Sequence, residues 1–490
     1  MNAPHDGPQL TAPVTPALAQ RVQEATGQNV FLCYQCVRCT NGCPLAEFFD
    51  LQPNQVMRAV QLGQEEMALQ AATPWLCVTC ETCATRCPQG LDIPAIMDFL
   101  TREATARGIQ PAVPRVDAFN RAFMREVRLW GRAYEPGMMV EMTVRDADIA
   151  GLKADVPMYW QMLRRGKVPI LPRVARAPRQ VRPHPEAREA LAFYPGCSLH
   201  GTAGEYRISA EAVCAALDLR LVEPEGWGCC GGSAAHRLDP EEAVRLPAQN
   251  LALIERYGFE EVVMPCAACF NRHRVAQHVM RRDPARREAV NAALHYDYQD
   301  RVAVSTLLDA LLAHVGLERI AGRVERPLEG LRVACYYGCL LTRPPEVTGA
   351  AHSDNPDGID RLMAALGADV VDWPHKVACC GAAHALTRPD VVRTLSGNLL
   401  EEARAFGAAT VVVACPMCHM NLESRQLQMA ADDRLPVLYF TQAMAVAFGL
   451  PEEAAALHKN LVDPRPVLQT ALYARGPRPG FRARGPATDQ

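Results

Sequence analysis

The chain has 490 residues, 49% hydrophobic and 21% charged, an ordinary balance for soluble globular protein and too long for a single core. A net charge of −3 offers little to nucleic acid or an anionic bilayer, and no run of about 18 apolar residues is present to cross a membrane. Twenty cysteines stand out; Met1–Ala19 lacks an export signal, so the expected compartment is the cytoplasm, where thiols ligate metals rather than form disulfides.

Residues 1–16, rich in Pro, Gly and Ala, read as a flexible leader. Residues 17–135 form a first domain with eight cysteines in two matching runs. Cys33-x2-Cys36-x2-Cys39-x3-Cys43-Pro44 precedes Cys77-x2-Cys80-x2-Cys83-x3-Cys87-Pro88. Three closely spaced thiolates wrap three corners of a cubane, and the fourth, beside the proline turn, reaches the neighbouring cluster. The pattern assigns Cys33, Cys36, Cys39 and Cys87 to one [4Fe–4S] cluster, and Cys77, Cys80, Cys83 and Cys43 to another. A pair of zinc ribbons would need only the Cys-x2-Cys halves. Between the runs, Pro53–Leu69 reads as a helix with Val56, Met57 and Val60 on one face. Ile93, Ile96, Met97 and Leu100 mark another, opened by Pro94, and Val116, Phe119, Phe123 and Val127 continue the helical period.

Residues 136–190 break this pattern with Pro157, Pro169, Pro172, Pro178, Pro183 and Pro185, accompanied by Arg173, Arg176, Arg179 and Arg182. They read as a linker along the surface.

Residues 191–462 contain a duplication. Phe193-Tyr-Pro-Gly-Cys197 matches Cys335-Tyr-Tyr-Gly-Cys339, Gly228-Cys-Cys-Gly231 matches Ala378-Cys-Cys-Gly381, and Met264-Pro-Cys-Ala-Ala-Cys269 matches Ala414-Cys-Pro-Met-Cys418. Strand-like runs precede them at Leu219–Val222, Glu261–Met264, Leu331–Ala334 and Thr410–Ala414, with helical runs such as Tyr206–Leu217 and Ile359–Leu366 between. Each repeat, 191–330 and 331–462, is therefore an α/β unit with its cysteines in loops after strand ends, where such sheets build sites. The first offers Cys197, Cys229, Cys230, Cys266 and Cys269; the second Cys339, Cys379, Cys380, Cys415 and Cys418. A cubane takes four thiolates, so one is left over in each repeat. Neighbouring side chains in extended backbone point apart, but Gly231 and Gly381 permit a turn that aims both sulfurs at one centre. A larger, non-cubane iron–sulfur centre suits this surplus. Cys214, in a helical run, and Cys335, in a strand, read as core, leaving 18 ligands.

His236 and His384 follow the two vicinal pairs and are candidate catalytic proton donors to a departing thiolate, since imidazole titrates near neutrality. Arg207, Arg237, Arg272 and Arg343 lie near the motifs as candidate anion contacts, with simple charge balance as the plainer role. No Gly-x-Gly-x-x-Gly fingerprint points to a flavin or nicotinamide site, so electrons are expected from another protein. Residues 463–490, rich in Arg, Pro and Gly, read as a disordered tail.

Heterodisulfide reductase is built from the polypeptides HdrA, HdrB and HdrC. The first part of the chain resembles HdrC, through Trp75-Leu-Cys-Val-Thr-Cys-Glu-Thr-Cys-Ala-Thr-Arg-Cys-Pro-Gln-Gly90. The second resembles HdrB, through Tyr194-Pro-Gly-Cys-Ser-Leu199 and Cys229-Cys-Gly-Gly-Ser-Ala-Ala-His236, so that roughly residues 25–455 look like a natural HdrC–HdrB fusion. The expected fold class is α+β multidomain: a mainly helical, ferredoxin-type two-cluster domain followed by two duplicated α/β Cys-Cys-Gly domains. The resemblance implies two cubanes, two non-cubane [4Fe–4S] clusters, and cleavage of a small disulfide between the latter. It also implies a flavoprotein partner like HdrA, carrying FAD and with electron bifurcation as one mode of action, together with further electron-donor proteins. Two other readings stand beside it: an electron-transfer component of a glycolate- or lactate-type dehydrogenase or quinone-linked complex, and a zinc-stapled scaffold.

Overall fold

Runs such as Thr410-Val-Val-Val413, buried along their whole length, are what a parallel sheet covered on both faces requires. The computed structural model, which describes residues 17–473 apart from 147–148, 170, 177, 179 and 431–432, contains two such sheets. The first joins β1 (Leu191–Phe193), β2 (Leu221–Val222), β3 (Glu261–Met264) and β4 (Ala303–Thr306) in the order β2-β1-β3-β4. The second joins β5 (Arg332–Tyr336), β6 (Asp369–Val371), β7 (Thr410–Val413) and β8 (Val437–Tyr439) in the order β6-β5-β7-β8. Every pairing is parallel, and the shared order confirms the duplication. Strand order reverses beside β1 and β5, which opens a crevice at the carboxyl ends of the strands. Most expected strands are present, although Leu219 and Arg220 lie outside β2.

The N-terminal domain is helical, as expected: α1 (Ala17–Thr26), α2 (Pro53–Gln61), α3 (Glu65–Gln70), α4 (Ile93–Ala106) and α5 (Pro114–Trp130). Leu18, Val22, Val56, Met57, Val60, Ile96 and Leu100 form its core. The helix expected over Pro53–Leu69 breaks between α2 and α3, where Gly63 takes a φ of +67° and ends the run. Asp92 caps α4 by accepting from the Ala95 backbone N–H, and Pro94 sits in its first turn.

The segment expected as a linker instead carries two helices, α6 (Glu135–Asp146) and α7 (Ile149–Arg164). Its prolines cluster mostly beyond them, so only Pro157 interrupts a helix interior. The strap that follows sends Lys167 into the interior, where it pairs with Glu205 of α8 (Gly204–Ala216); both side chains are fully buried. α8 then packs across to the second repeat. Tyr206 stacks on Tyr439 with centroids 4.1 Å apart, and Ser209 and Thr441 hydroxyls lie 2.6 Å apart. Each repeat also places a helix after its last cysteine pair: α9 (Ala267–Arg282) and α10 (Pro416–Ser424). At the far end, α11 (Arg465–Tyr473) occupies the start of the expected tail; the rest of that tail and the expected leader lie outside the described residues.

Candidate iron–sulfur centres and the cavity between them

Each repeat brings its cysteines from three strand ends, after β1, β2 and β3 in one and after β5, β6 and β7 in the other. In the first, Cys230 and Cys269 sulfurs lie 3.5 Å apart and Cys229 hydrogen-bonds Cys197. In the second, Cys380 and Cys418 lie 3.6 Å apart and Cys379 hydrogen-bonds Cys339. The vicinal pairs are turned as the following glycines permit, and the N–H of Gly231 and of Gly381 reaches back to Cys229 and Cys379 Sγ at 3.4 and 3.3 Å. Tyr194 and Tyr336 donate to the carbonyls of Gly228 and Ala378, at 2.6 and 2.7 Å, fixing the loops that carry the pairs.

Two further glycines decide the shape. Gly196 and Gly338 have φ of +71° and +72°, and an added Cβ would stand 2.8 Å from Cys269 Sγ and 2.9 Å from Cys418 Sγ. The backbone leaves a cradle beside the sulfurs that a side chain would fill. Five thiols around such a cradle, with backbone N–H groups aimed at sulfur, fit an iron–sulfur cluster.

All ten of these cysteines line one cavity of about 570 Å³. Its roof is mostly apolar, from Phe119 and Phe123 of α5, Met138 and Met142 of α6, and Met158 and Met162 of α7, with Arg115 of α5 and Glu135 of α6 as charged exceptions. Ser198, Ser233, Thr202 and Asn421 supply scattered polar groups. The two centres are close neighbours, since Cys415 is held down to about 7 by the Cys418 thiol and by backbone N–H groups, that of Ala267 from the other repeat among them.

The ferredoxin-type runs dock against this pair. Cys39 has Cys33 and Cys36 for neighbours, and Cys43 has both Cys80 and Cys39, with Cys83 close by. Cys80 in turn hydrogen-bonds Cys379, which draws the Cys80 thiol below its ordinary range. One cysteine of the second ferredoxin-type run thus touches a vicinal cysteine of the second repeat. Arg343, 2% exposed, spans this junction by donating to Thr82 Oγ1 and the Val377 carbonyl, and it pairs with Asp354.

Residues 32–92 match the 4Fe-4S dicluster domain, and residues 191–272 and 333–423 each match the Cysteine-rich domain. Among curated proteins, the chain is 32% identical to the 8-methylmenaquinol:fumarate reductase membrane anchor subunit of Wolinella succinogenes, over 56% of this chain and 98% of that protein. It is 25% identical to the HdrB polypeptide of the CoB-CoM heterodisulfide reductase of Methanosarcina acetivorans, over 56% of this chain and 94% of the relative. The HdrC polypeptide of Methanothermobacter marburgensis heterodisulfide reductase aligns at 28% identity with 21% of this chain and 55% of that relative. The HdrB likeness falls on the cysteine-rich repeats, the HdrC likeness on the ferredoxin-type part. The chain belongs to the heterodisulfide reductase family, with HdrC-type and HdrB-type parts fused in one polypeptide. Like its family, it is an iron–sulfur oxidoreductase with [4Fe–4S] clusters.

The family's cysteine pattern was legible in the sequence; its supporting residues were less so. Cys214 and Cys335 are buried core residues, as expected. His236 and His384, expected as proton donors, do not line the cavity. The Nδ1 of His236 lies 2.5 Å from Asp98 Oδ2 on α4. His384 donates from Nε2 to the Leu76 carbonyl at 2.8 Å, while its Nδ1 accepts from Thr387. Each histidine follows a vicinal pair because that loop is where a repeat meets the N-terminal domain. Of the four arginines, Arg237 donates to the Pro74 and Trp75 carbonyls, Arg207 pairs with Glu211 and Glu223, Arg343 spans the junction, and only Arg272 reaches the cavity. The methionine roof was missed. Met138 and Met142, like Met158 and Met162, recur at helical spacing, a signal that the neighbouring prolines masked.

Proposed function

We propose that the chain is the catalytic part of a disulfide-splitting oxidoreductase, in which a small disulfide binds between two non-cubane [4Fe–4S] clusters fed by two ferredoxin-type cubanes. One observation carries this reading: two equivalent five-cysteine sets line a single cavity. Disulfide cleavage takes two electrons, and two facing centres offer one acceptor to each sulfur. When bound, the clusters supply single electrons and iron positions that accept a thiolate. The protein's part is to hold the two sets at opposite walls, exclude water beneath the methionine roof, and pin the inner cubane loop through Arg237, His384 and Arg343. The names of the HdrB and HdrC relatives support the substrate class.

Electrons enter from a partner, for which a flavoprotein like HdrA is the proposal. Cys36 is exposed, and exposed Phe31, Leu32 and Tyr34 surround that loop, a surface suited to a docked donor. No described helix is long and apolar enough to cross a membrane, and we place the protein in the cytoplasm.

The test replaces Cys230 or Cys380 by Ser in the reconstituted, full-length chain and follows reduction of an alkyl disulfide by dithionite. Each change exchanges a soft thiolate for a harder ligand, and each is expected to remove nearly all turnover while the signals of the Cys33–Cys87 domain persist. Near-normal turnover by Cys380→Ser would make the second repeat a relay.

A quinol-linked reading has one observation in its favour. The cavity roof is mostly apolar on its inner side, and Val140, Val144, Val156, Trp160 and Leu163 of the same two helices are exposed, as an approach to a lipid surface would need. The name of the Wolinella relative points the same way. Oxidation of a menaquinol analogue by the chain, with no response to disulfides, would give this reading the lead.

A further inference from the structure

With both histidines tied into the domain interface, the proton needed by a departing thiolate must come from elsewhere. Among the groups on the cavity wall, Glu135 is suited to the task. It opens α6, hydrogen-bonds Thr202 through one carboxylate oxygen, and leaves Oε2 shielded from solvent with no hydrogen-bond partner. That oxygen sits over the turn joining Ser198 to Thr202, 3.5 Å from where a Cβ on Gly201 would stand, so the carboxyl is held by the first repeat although it belongs to the roof. Beyond Thr202, the Nζ of Lys167 lies 3.3 Å from the Thr202 carbonyl and pairs with Glu205.

We propose that Glu135 is the acid that protonates one of the two sulfurs released in the cavity. The proposal rests on the disulfide reading above. In balance, R–S–S–R′, two electrons and two protons give RSH and R′SH; the electrons arrive singly from an external one-electron protein donor through the N-terminal domain. The O–H bond of Glu135 breaks as the S–H bond of one product forms, and the second proton comes from solvent. The resulting carboxylate keeps the Thr202 hydrogen bond and the attraction of Lys167.

The electrostatics agree with the geometry. Burial pushes the Glu135 carboxyl up to about 7, against the Thr202 hydrogen bond and the Lys167 charge, so it is partly protonated near neutrality. Other titratable groups stand around it. Arg115 of α5 and Tyr159 of α7 line the same cavity, and Glu126 of α5 reaches Gly137, two residues along α6. A general acid works best with a pKa near the operating pH, and its removal costs roughly 10²–10⁴ in rate.

The experiment uses the full-length, reconstituted protein with dithionite and compares two probes. One is 2-hydroxyethyl disulfide, whose alkyl thiolate leaves poorly without a proton. The other is a nitrothiobenzoate disulfide, whose aryl thiolate leaves readily. Glu135→Gln is expected to slow the alkyl probe about 100-fold, to lower the aryl probe far less, and to abolish the limb of the alkyl pH–rate profile near 7. Infrared difference spectra of the resting protein should show a carboxyl C=O band that titrates in the wild type and is missing from the variant. Glu135→Asp, which keeps a carboxyl, should restore much of the alkyl rate. Equal loss on both probes, or an unchanged pH profile and infrared band in Glu135→Gln, would overturn the proposal. If the wild type reduces neither probe, the disulfide reading itself fails, and the infrared band then still reports whether Glu135 titrates as an isolated acid.

Discussion

Cys43 lies four residues after Cys39, yet the thiols it neighbours also include Cys80 and, through it, Cys83. Burial, with the approach of Cys80, pushes the Cys43 thiol up to about 12, so without a metal it stays protonated. Iron is what would make it a thiolate. Cys43→Ser is therefore expected to damage the cluster of Cys77, Cys80 and Cys83 and to spare the one nearest in sequence. Electron paramagnetic resonance of the reduced protein checks this; loss confined to the Cys33, Cys36 and Cys39 signal would refute the crossing. At this scale the grouping of the cysteines was readable because short spacings leave few geometric options. Gly196 and Gly338 were less readable, since the need for φ near +70° and for an open cradle exists only once Cys269 and Cys418 return from distant strands. The histidines were misjudged for a related reason. An imidazole near a cysteine pair has the same sequence signature whether it faces substrate or a neighbouring domain, and only the docked α4 distinguishes the two.

At the scale of elements, the two repeats were legible because short continuous apolar runs and repeated motifs survive in each copy. The helices α6 and α7 were not. Pro157 and the prolines from 169 onward dominate the composition, and the apolar face of α6 is made of methionines spaced to fit a cavity rather than a continuous core. That placement has a kinetic consequence. Met142 and Met162 touch whatever occupies the cavity without standing at the sulfurs, so they should bind ground state and transition state alike. Met142→Ala and Met162→Ala are each expected to raise KM for an alkyl disulfide about fivefold, for roughly 1 kcal/mol of lost apolar contact, with kcat nearly unchanged. A fall in kcat at constant KM would mean that the roof acts on the chemistry and not on binding.

At the scale of the whole molecule, the proposed function requires the N-terminal domain to stay docked, because the Cys80–Cys379 contact is where the second ferredoxin-type run meets the second repeat. Two neutral imidazoles guard this interface. Burial holds His236 down to about 4, against the attraction of Asp98, and it holds His384 down to about 4, against its hydrogen bond to Leu76. In the undocked chain both would titrate near 6.5. The docked form therefore refuses protons that the undocked form accepts. Docking keeps its full stability above that value and loses it as pH falls toward 4, by about 1.4 kcal/mol per histidine per pH unit. Asp98, which His236 and Arg237 pull down to about 2 against the effect of burial, stays ionised through this window and softens the cost for His236. With both imidazoles held at about 4, the two should contribute alike. In the second repeat, burial raises Glu423, 0% exposed, to about 7, which offsets part of the acid cost of His419, held down by burial beside it; His273 of the first repeat is held down likewise. Acidification from about pH 7 to about pH 5 should loosen the interface first, because side-chain contacts hold it whereas hydrogen-bonded ladders hold the strands. Hydrogen exchange should show early loss of protection in α4 and around residues 235–238, with β3 and β7 still protected. Transfer of electrons from the N-terminal clusters should fail over the same range. His384→Gln keeps a donor for the Leu76 carbonyl but takes up no proton, and should move the loss of docking to lower pH. If β3 and β7 lose protection first, or His384→Gln leaves the acid transition in place, the imidazoles do not control docking.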